Sequence, residues 1–241
     1  MQLVIEKEKV GNIPCYMIYP IKETGKSAVF YHGWSSRGKL QVTRAALLAL
    51  EGYTVCVPDA VHHGEREPLS DYYTLEGYDL FWKTIFQNTD EFSFIRKFLD
   101  QKGYKKPIVL GHSMGGFSVL GIAAAYGEQI ASAVSFNGSG DWELSHLFMQ
   151  ARFGISFGEK WKLYEEVKKR SPLYYKERLK SVRLLLLNGE NDSSVDPRAQ
   201  THFYSVMKNE GVDVNKITYP GLGHFVTTNM MDEAVSWMRE T

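Results

Sequence analysis

The stretch Pro107-Ile-Val-Leu-Gly-His-Ser113-Met-Gly-Gly-Phe-Ser-Val-Leu-Gly-Ile-Ala-Ala-Ala125 decides the fold. Its first residues form a short apolar run, which reads as a buried strand. Its last residues are small or apolar almost without interruption, as a helix packed closely on a sheet requires. Between them, Gly111-His112-Ser113-Met114-Gly115 fits G-x-S-x-G, in which a tight strand-to-helix turn pushes a serine hydroxyl out at the sheet edge. Glycines flank the turn because side chains there would collide with the crowded backbones. The spacing alone is weak, since Gly154-Ile-Ser156-Phe-Gly158 also matches it. That second match has no strand before it and no apolar helix after it. Ser113 is the nucleophile candidate and Ser156 a decoy.

Outward from this turn, β-rich runs alternate with helical patterns. The runs are Gln2–Glu8, Ile13–Tyr19, Ser27–Tyr31, Tyr53–Val57, Pro107–Gly111, Ala131–Phe136, Val182–Leu187 and Val214–Tyr219. The first two, separated by Gly11-Asn12, read as an antiparallel hairpin. From Ser27 onward the runs are apolar on consecutive residues, as strands covered on both faces should be. Helices are expected at about Lys39–Glu51, Leu75–Lys102, Gly115–Tyr126, Pro197–Glu210 and Val226–Arg239. Asp196 and Pro197 are well placed to start the fourth. In Leu75–Lys102, the residues Phe81, Trp82, Ile85, Phe86, Phe92, Phe94, Ile95 and Phe98 recur at helical spacing and read mostly as a core face. The pattern predicts an α/β class chain with an eight-stranded, mostly parallel sheet and helices on both faces.

A hydroxyl needs a base, and the base needs an orienting acid. His224 stands in the glycine-rich loop Pro220-Gly-Leu-Gly-His224-Phe225, between the last strand and the last helix. It therefore reaches the sheet edge that carries Ser113, where open α/β sheets bind ligands. The acid is sought after the Val182–Leu187 run, in Asn188-Gly-Glu-Asn-Asp192-Ser-Ser-Val-Asp196. Asp192 lies mid-loop and is preferred; Asp196 is committed to capping a helix, and Glu190 is a third candidate. An oxyanion needs two converging backbone N–H groups. Met114 follows the nucleophile and supplies one, while Trp34, in His32-Gly33-Trp34-Ser35-Ser36, supplies the other. Four further residues are placed toward a substrate: His32 and Gly33 in that loop, Trp142, and Phe225 beside the histidine.

One connection breaks the rhythm. Residues 141–178 separate two strands by roughly forty positions, far beyond the usual 2–6, and carry Trp142, Phe148, Phe153, Phe157, Trp161, Tyr164, Tyr174 and Tyr175. A small helical cap inserted within a single 1–241 domain is expected there. The segment Asp59-Ala-Val-His62-His63-Gly64-Glu65-Arg66-Glu67 offers imidazoles and carboxylates together, yet its spacing does not suit a metal. It reads as a salt-bridged turn.

Composition closes off other functions. The chain has 28 basic and 28 acidic residues and a formal charge of zero, which argues against nucleic-acid binding. At 44% hydrophobic and 23% charged it is not a disordered sequence. No apolar run approaches the ~20 residues of a membrane span, and the first ten residues lack a secretory pattern, so a cytoplasmic location is expected. Cys15 and Cys56 read as ordinary buried residues. Asn137-Gly-Ser139 and Asn191-Asp-Ser193 match the glycosylation pattern, to which no weight is given in such a chain.

Together these residues resemble the α/β-hydrolase family. The likeness runs from the His32-Gly33 loop to the last helix, and its most specific part is the chain order Ser113, Asp192, His224. Pro58-Asp59 with His63-Gly64 is similar to the structural turn of many members, and Ser171-Pro172-Leu173 to the return from an inserted cap. Within the family the chain is most similar to small esterases of the dienelactone-hydrolase-like and prolyl-oligopeptidase-like group. The resemblance implies a cofactor-free serine hydrolase that cleaves short- to medium-chain acyl esters through an acyl-enzyme on Ser113. A peptidase or aminoacyl-ester hydrolase with the same triad, or a non-catalytic binding protein on the same fold, are the alternatives.

Overall fold

The computed structural model describes residues 3–154 and 161–240. Strands β1 (Val4–Val10) and β2 (Ile13–Tyr19) form the expected antiparallel hairpin, turning at Gly11 with φ +61°. They lead into β3 (Lys26–Tyr31), β4 (Tyr53–Pro58), β5 (Ile108–His112), β6 (Ser132–Phe136), β7 (Arg183–Gly189) and β8 (Val214–Tyr219). The eight strands make one sheet in the order β1-β2-β4-β3-β5-β6-β7-β8. β2 pairs antiparallel with β4, and every pair beyond it is parallel.

Two-residue periodicity explains how both faces are filled. Val29, Val109, Leu184 and Leu186 point to one face, where they meet α2 (Leu75–Gln101), α3 (Met114–Tyr126) and α7 (Pro197–Asn209). Phe30, Leu110, Leu185 and Leu187 point to the other, against α1 (Val42–Leu50) and α8 (Thr228–Arg239). Cys15 and Cys56 are buried free thiols in the first of these layers. Asp196 caps α7 by accepting from the Arg198 N–H at 3.0 Å, with Pro197 in the first position. Of the aromatic series on α2, Phe81, Trp82, Phe86 and Phe92 are buried, whereas Phe94 faces outward.

The described residues of the long connection after β6 are largely helical. It holds α4 (Trp142–Phe153), α5 (Tyr164–Arg170), a 3-10 turn at Pro172–Tyr174 and α6 (Lys176–Leu179). Asp141 caps α4 through the Leu144 N–H at 3.0 Å. A third apolar cluster joins this insertion to the nucleophile turn: Trp142, Met149 and Val167 pack with Trp82, Phe86, Met114 and Phe117. Ser156 and Phe157 lie outside the described residues. No helix among the described residues is long and apolar enough to cross a membrane.

Candidate active site

Ser113 sits between β5 and α3 with φ +57° and ψ −119°, a left-handed conformation that costs an ordinary residue of order 1–3 kcal/mol. The surroundings force it. Its N–H donates to the Phe136 carbonyl at 2.9 Å, and its carbonyl accepts from the Phe117 N–H at 3.0 Å. A side chain on Gly111 would come within 2.3 Å of the Gly115 carbonyl oxygen, and one on Gly115 within 2.3 Å of the Tyr31 carbonyl oxygen. Both glycines are therefore required by the packing of strand on helix. Met114 is the first residue of α3, so no helical carbonyl is placed to accept its N–H.

Asp192 and His224 meet at the same edge. His224 Nδ1 lies 2.6 Å from Asp192 Oδ2. A carboxylate only accepts, so the imidazole donates here from Nδ1. Asp192 Oδ1 accepts from the N–H groups of Ser194 and Val195 at 2.8 and 2.9 Å, and the carboxylate is fully buried. The rival acids are engaged elsewhere: Asp196 holds Arg198 and the start of α7, and Glu190 accepts from the Gly221 N–H. The His224 ring packs 4.9 Å from that of His112, the residue before Ser113.

The loop after β3 comes up against Ser113. A side chain on Gly33 would lie 3.3 Å from both Ser113 Cβ and the His112 carbonyl oxygen. In this loop the Ser35 N–H donates to His63 Nε2 and the Ser36 N–H to the Gly33 carbonyl. The Trp34 N–H has no protein partner among the described residues. Its indole N–H donates to the Tyr72 carbonyl at 3.0 Å, and its ring meets Phe81, His63 and Tyr72 edge-on. Phe225, beside His224, is 67% exposed.

Two expectations need correction. His32 does not face a substrate: it is 1% exposed, its Nδ1 bonds the Gly33 carbonyl, and its Nε2 accepts from the Ala60 N–H. Burial pushes its pKa down to about 4, so it is a neutral strut joining two loops. Trp142 does not line a cleft either. It is 1% exposed among Trp82 and Phe86, and its indole N–H donates to the Ser139 carbonyl.

The Asp59–Glu67 segment is the expected salt-bridged turn. Asp59 accepts from the Gly38 and Glu65 N–H groups, and a side chain on Gly64 would fall 2.1 Å from its carboxylate. Arg66 grips Glu91 through two bonds of 2.7 Å. His63 bonds the Val61 carbonyl and Ser35, and burial lowers its pKa to about 4. Sequence reasoning missed Asn137, which is buried behind the site at φ +48°. The available signal was its place at a strand end on the edge that carries Ser113, not the glycosylation pattern it happens to start.

The sheet order, the crossover helices and the nucleophile turn define an α/β hydrolase. Residues 40–239 match the prolyl oligopeptidase family model, and the chain belongs to that family. It is a serine hydrolase of the esterase or peptidase type. It is 27% identical to the esterase YjfP of Escherichia coli over 248 residues, covering 98% of each chain. Among solved structures, TT1662 from Thermus thermophilus superposes with a TM-score of 0.81 at 17% identity, covering 100% of this chain and 98% of that one. The acylaminoacyl peptidase of Pyrococcus horikoshii gives 0.74 at 19% identity, covering 99% of this chain but 40% of the peptidase.

Proposed function

We propose that the chain is a carboxylesterase whose nucleophile is Ser113. Ser113 Oγ attacks the ester carbonyl while His224 Nε2 takes its proton, and Asp192 holds the imidazole and offsets its developing charge. The Met114 and Trp34 N–H groups receive the oxyanion. Collapse of the tetrahedral species expels the alcohol, which carries off the proton from His224. Water, deprotonated by the same imidazole, then releases the acid and restores Ser113. The observation that carries this reading is the 2.6 Å contact of a buried, fully hydrogen-bonded Asp192 with His224, on the sheet edge where Ser113 is held at positive φ.

Esters are preferred over peptides in this proposal because YjfP, matched over 98% of both chains, bears an esterase's name. The peptidase reading is favoured by the family and by the Pyrococcus structure, of which this chain spans 40%. Residues 141–178 act as the cap in this reading. A groove of about 620 Å³, within the usual size of small-molecule sites, runs between Phe148, Met149 and Phe153 on α4 and Ser193 and Ser194 beside the acid, with Arg152, Asp196 and Arg198 also on its wall.

Turnover of p-nitrophenyl esters of increasing acyl length, set against aminoacyl p-nitroanilides and with Ser113→Ala as blank, tests the proposal. Ester turnover lost in the blank supports it; anilide cleavage with little ester turnover selects the peptidase instead.

A further inference from the structure

The Phe136–Asn137 junction touches all three catalytic loops. The Phe136 carbonyl accepts the Ser113 N–H at 2.9 Å, and the Asn137 N–H donates to the Leu187 carbonyl at 2.8 Å. The side chain then divides its two ends. Asn137 Oδ1 accepts from the Gly189 N–H at 2.9 Å, at the end of the strand that leads to Asp192. Its Nδ2 donates to the Phe225 carbonyl at 2.8 Å, one residue beyond His224.

Asn137 is fully buried, and its φ of +48° is one that asparagine tolerates better than most residues. Burial gives each of these bonds weight, because water cannot replace a lost partner without reorganising the loops. The amide thus bridges the strand that leads to Asp192 and the loop that carries His224, from the strand end that also holds the Ser113 N–H.

We propose that Asn137 is a positioning residue of the hydrolase: it sets the Asp192–His224 pair in register with Ser113 without touching the substrate. The inference rests on the serine-hydrolase reading of these three residues.

Two variants isolate it. Asn137→Asp keeps an acceptor for the Gly189 N–H but sets a second acceptor against the Phe225 carbonyl. Asn137→Gly allows the left-handed backbone and removes both side-chain bonds. Each is compared with wild type for kcat and KM on p-nitrophenyl butyrate, for thermal unfolding, and for the low-field NMR resonance of the His224 Nδ1 proton. Both variants are expected to stay folded, with kcat reduced roughly 10- to 100-fold, the scale of a misplaced catalytic group, and KM little changed. The low-field resonance should broaden or move.

Unchanged kcat in folded variants overturns the inference. So does an unchanged resonance, or a loss of kcat that only follows loss of folded protein in both. The proton readout needs no substrate, so it separates this failure from failure of the parent reading, which is announced by a wild type that turns over no ester and no anilide.

Discussion

Asp192 and His224 are joined by a 2.6 Å contact between Oδ2 and Nδ1, and the other oxygen of Asp192 is held by two backbone N–H groups. The carboxylate therefore cannot swing away from the ring without giving up both bonds and leaving the buried Val195 N–H unpaired. Asp196, four residues on, has the opposite commitments: it closes the first turn of α7 and pairs with Arg198.

From this contrast, Asp192→Asn should lower kcat by several orders of magnitude, since an amide can present its NH₂ to Nδ1 and favour the wrong tautomer. Asp196→Asn retains a capping oxygen and should stay within about threefold of wild type. Ester kinetics on the two purified variants decide it. If the effects were exchanged, Asp196 would be the acid.

Gly33 tests the approach of the oxyanion loop. A methyl at this position would press on Ser113 Cβ and the His112 carbonyl at 3.3 Å, so one of them must shift by a few tenths of an ångström. Gly33→Ala should lower kcat roughly tenfold, a modest part of the 10²–10³ attributed to a single oxyanion donor, with little change in melting temperature. Equal kcat in a folded variant would remove this loop from the oxyanion site.

Gly115→Ala should act on folding instead. Its new carbon would lie 2.3 Å from the Tyr31 carbonyl oxygen and 2.8 Å from that of His32, and backbone cannot yield cheaply. A loss of more than about 2 kcal/mol in denaturant unfolding is expected, at the upper end of ordinary single substitutions. A variant as stable as wild type would contradict the tight strand–helix contact.

Acid stability follows from the buried histidines. Burial lowers the pKa of His32, His63 and His146 to about 4 each, against about 6.5 in the unfolded chain. Between those values the unfolded chain binds the protons and the native one does not, so their contribution is complete above pH 6.5 and is lost as pH falls toward 4. Each such group adds at most about 1.4 kcal/mol per pH unit to the slope in that window. Denaturant unfolding of His32→Gln from pH 7.5 to 4.5 should show a shallower slope than wild type, by somewhat under about 1 kcal/mol per pH unit on average. Identical slopes would mean that His32 is not held neutral.

The sheet was legible because its interior strands are apolar on consecutive residues and its turns are marked by glycine; the predicted and observed limits of Ile13–Tyr19 and Val214–Tyr219 coincide. The turn at Ser113 was legible because steric crowding demands glycine on both sides of it. The direction of His32 and Trp142 was not. A strand-end or helix-start position says that a residue is near the site, while its hydrogen bonds to Ala60 and Ser139 decide which way it faces. Asn137 was missed for a related reason: its partners, Gly189 and Phe225, lie 52 and 88 positions away and no local pattern connects them. The capping role of Asp196 could be read because cap and helix are neighbours in sequence.

The central claim is that Ser113 carries the acyl group. Wild-type protein quenched with acid during turnover of p-nitrophenyl butyrate and then digested should show one butyryl group on the peptide containing Ser113, absent from Ser113→Ala. Butyryl on a different residue, or ester turnover with Ser113 never acylated, would contradict the account.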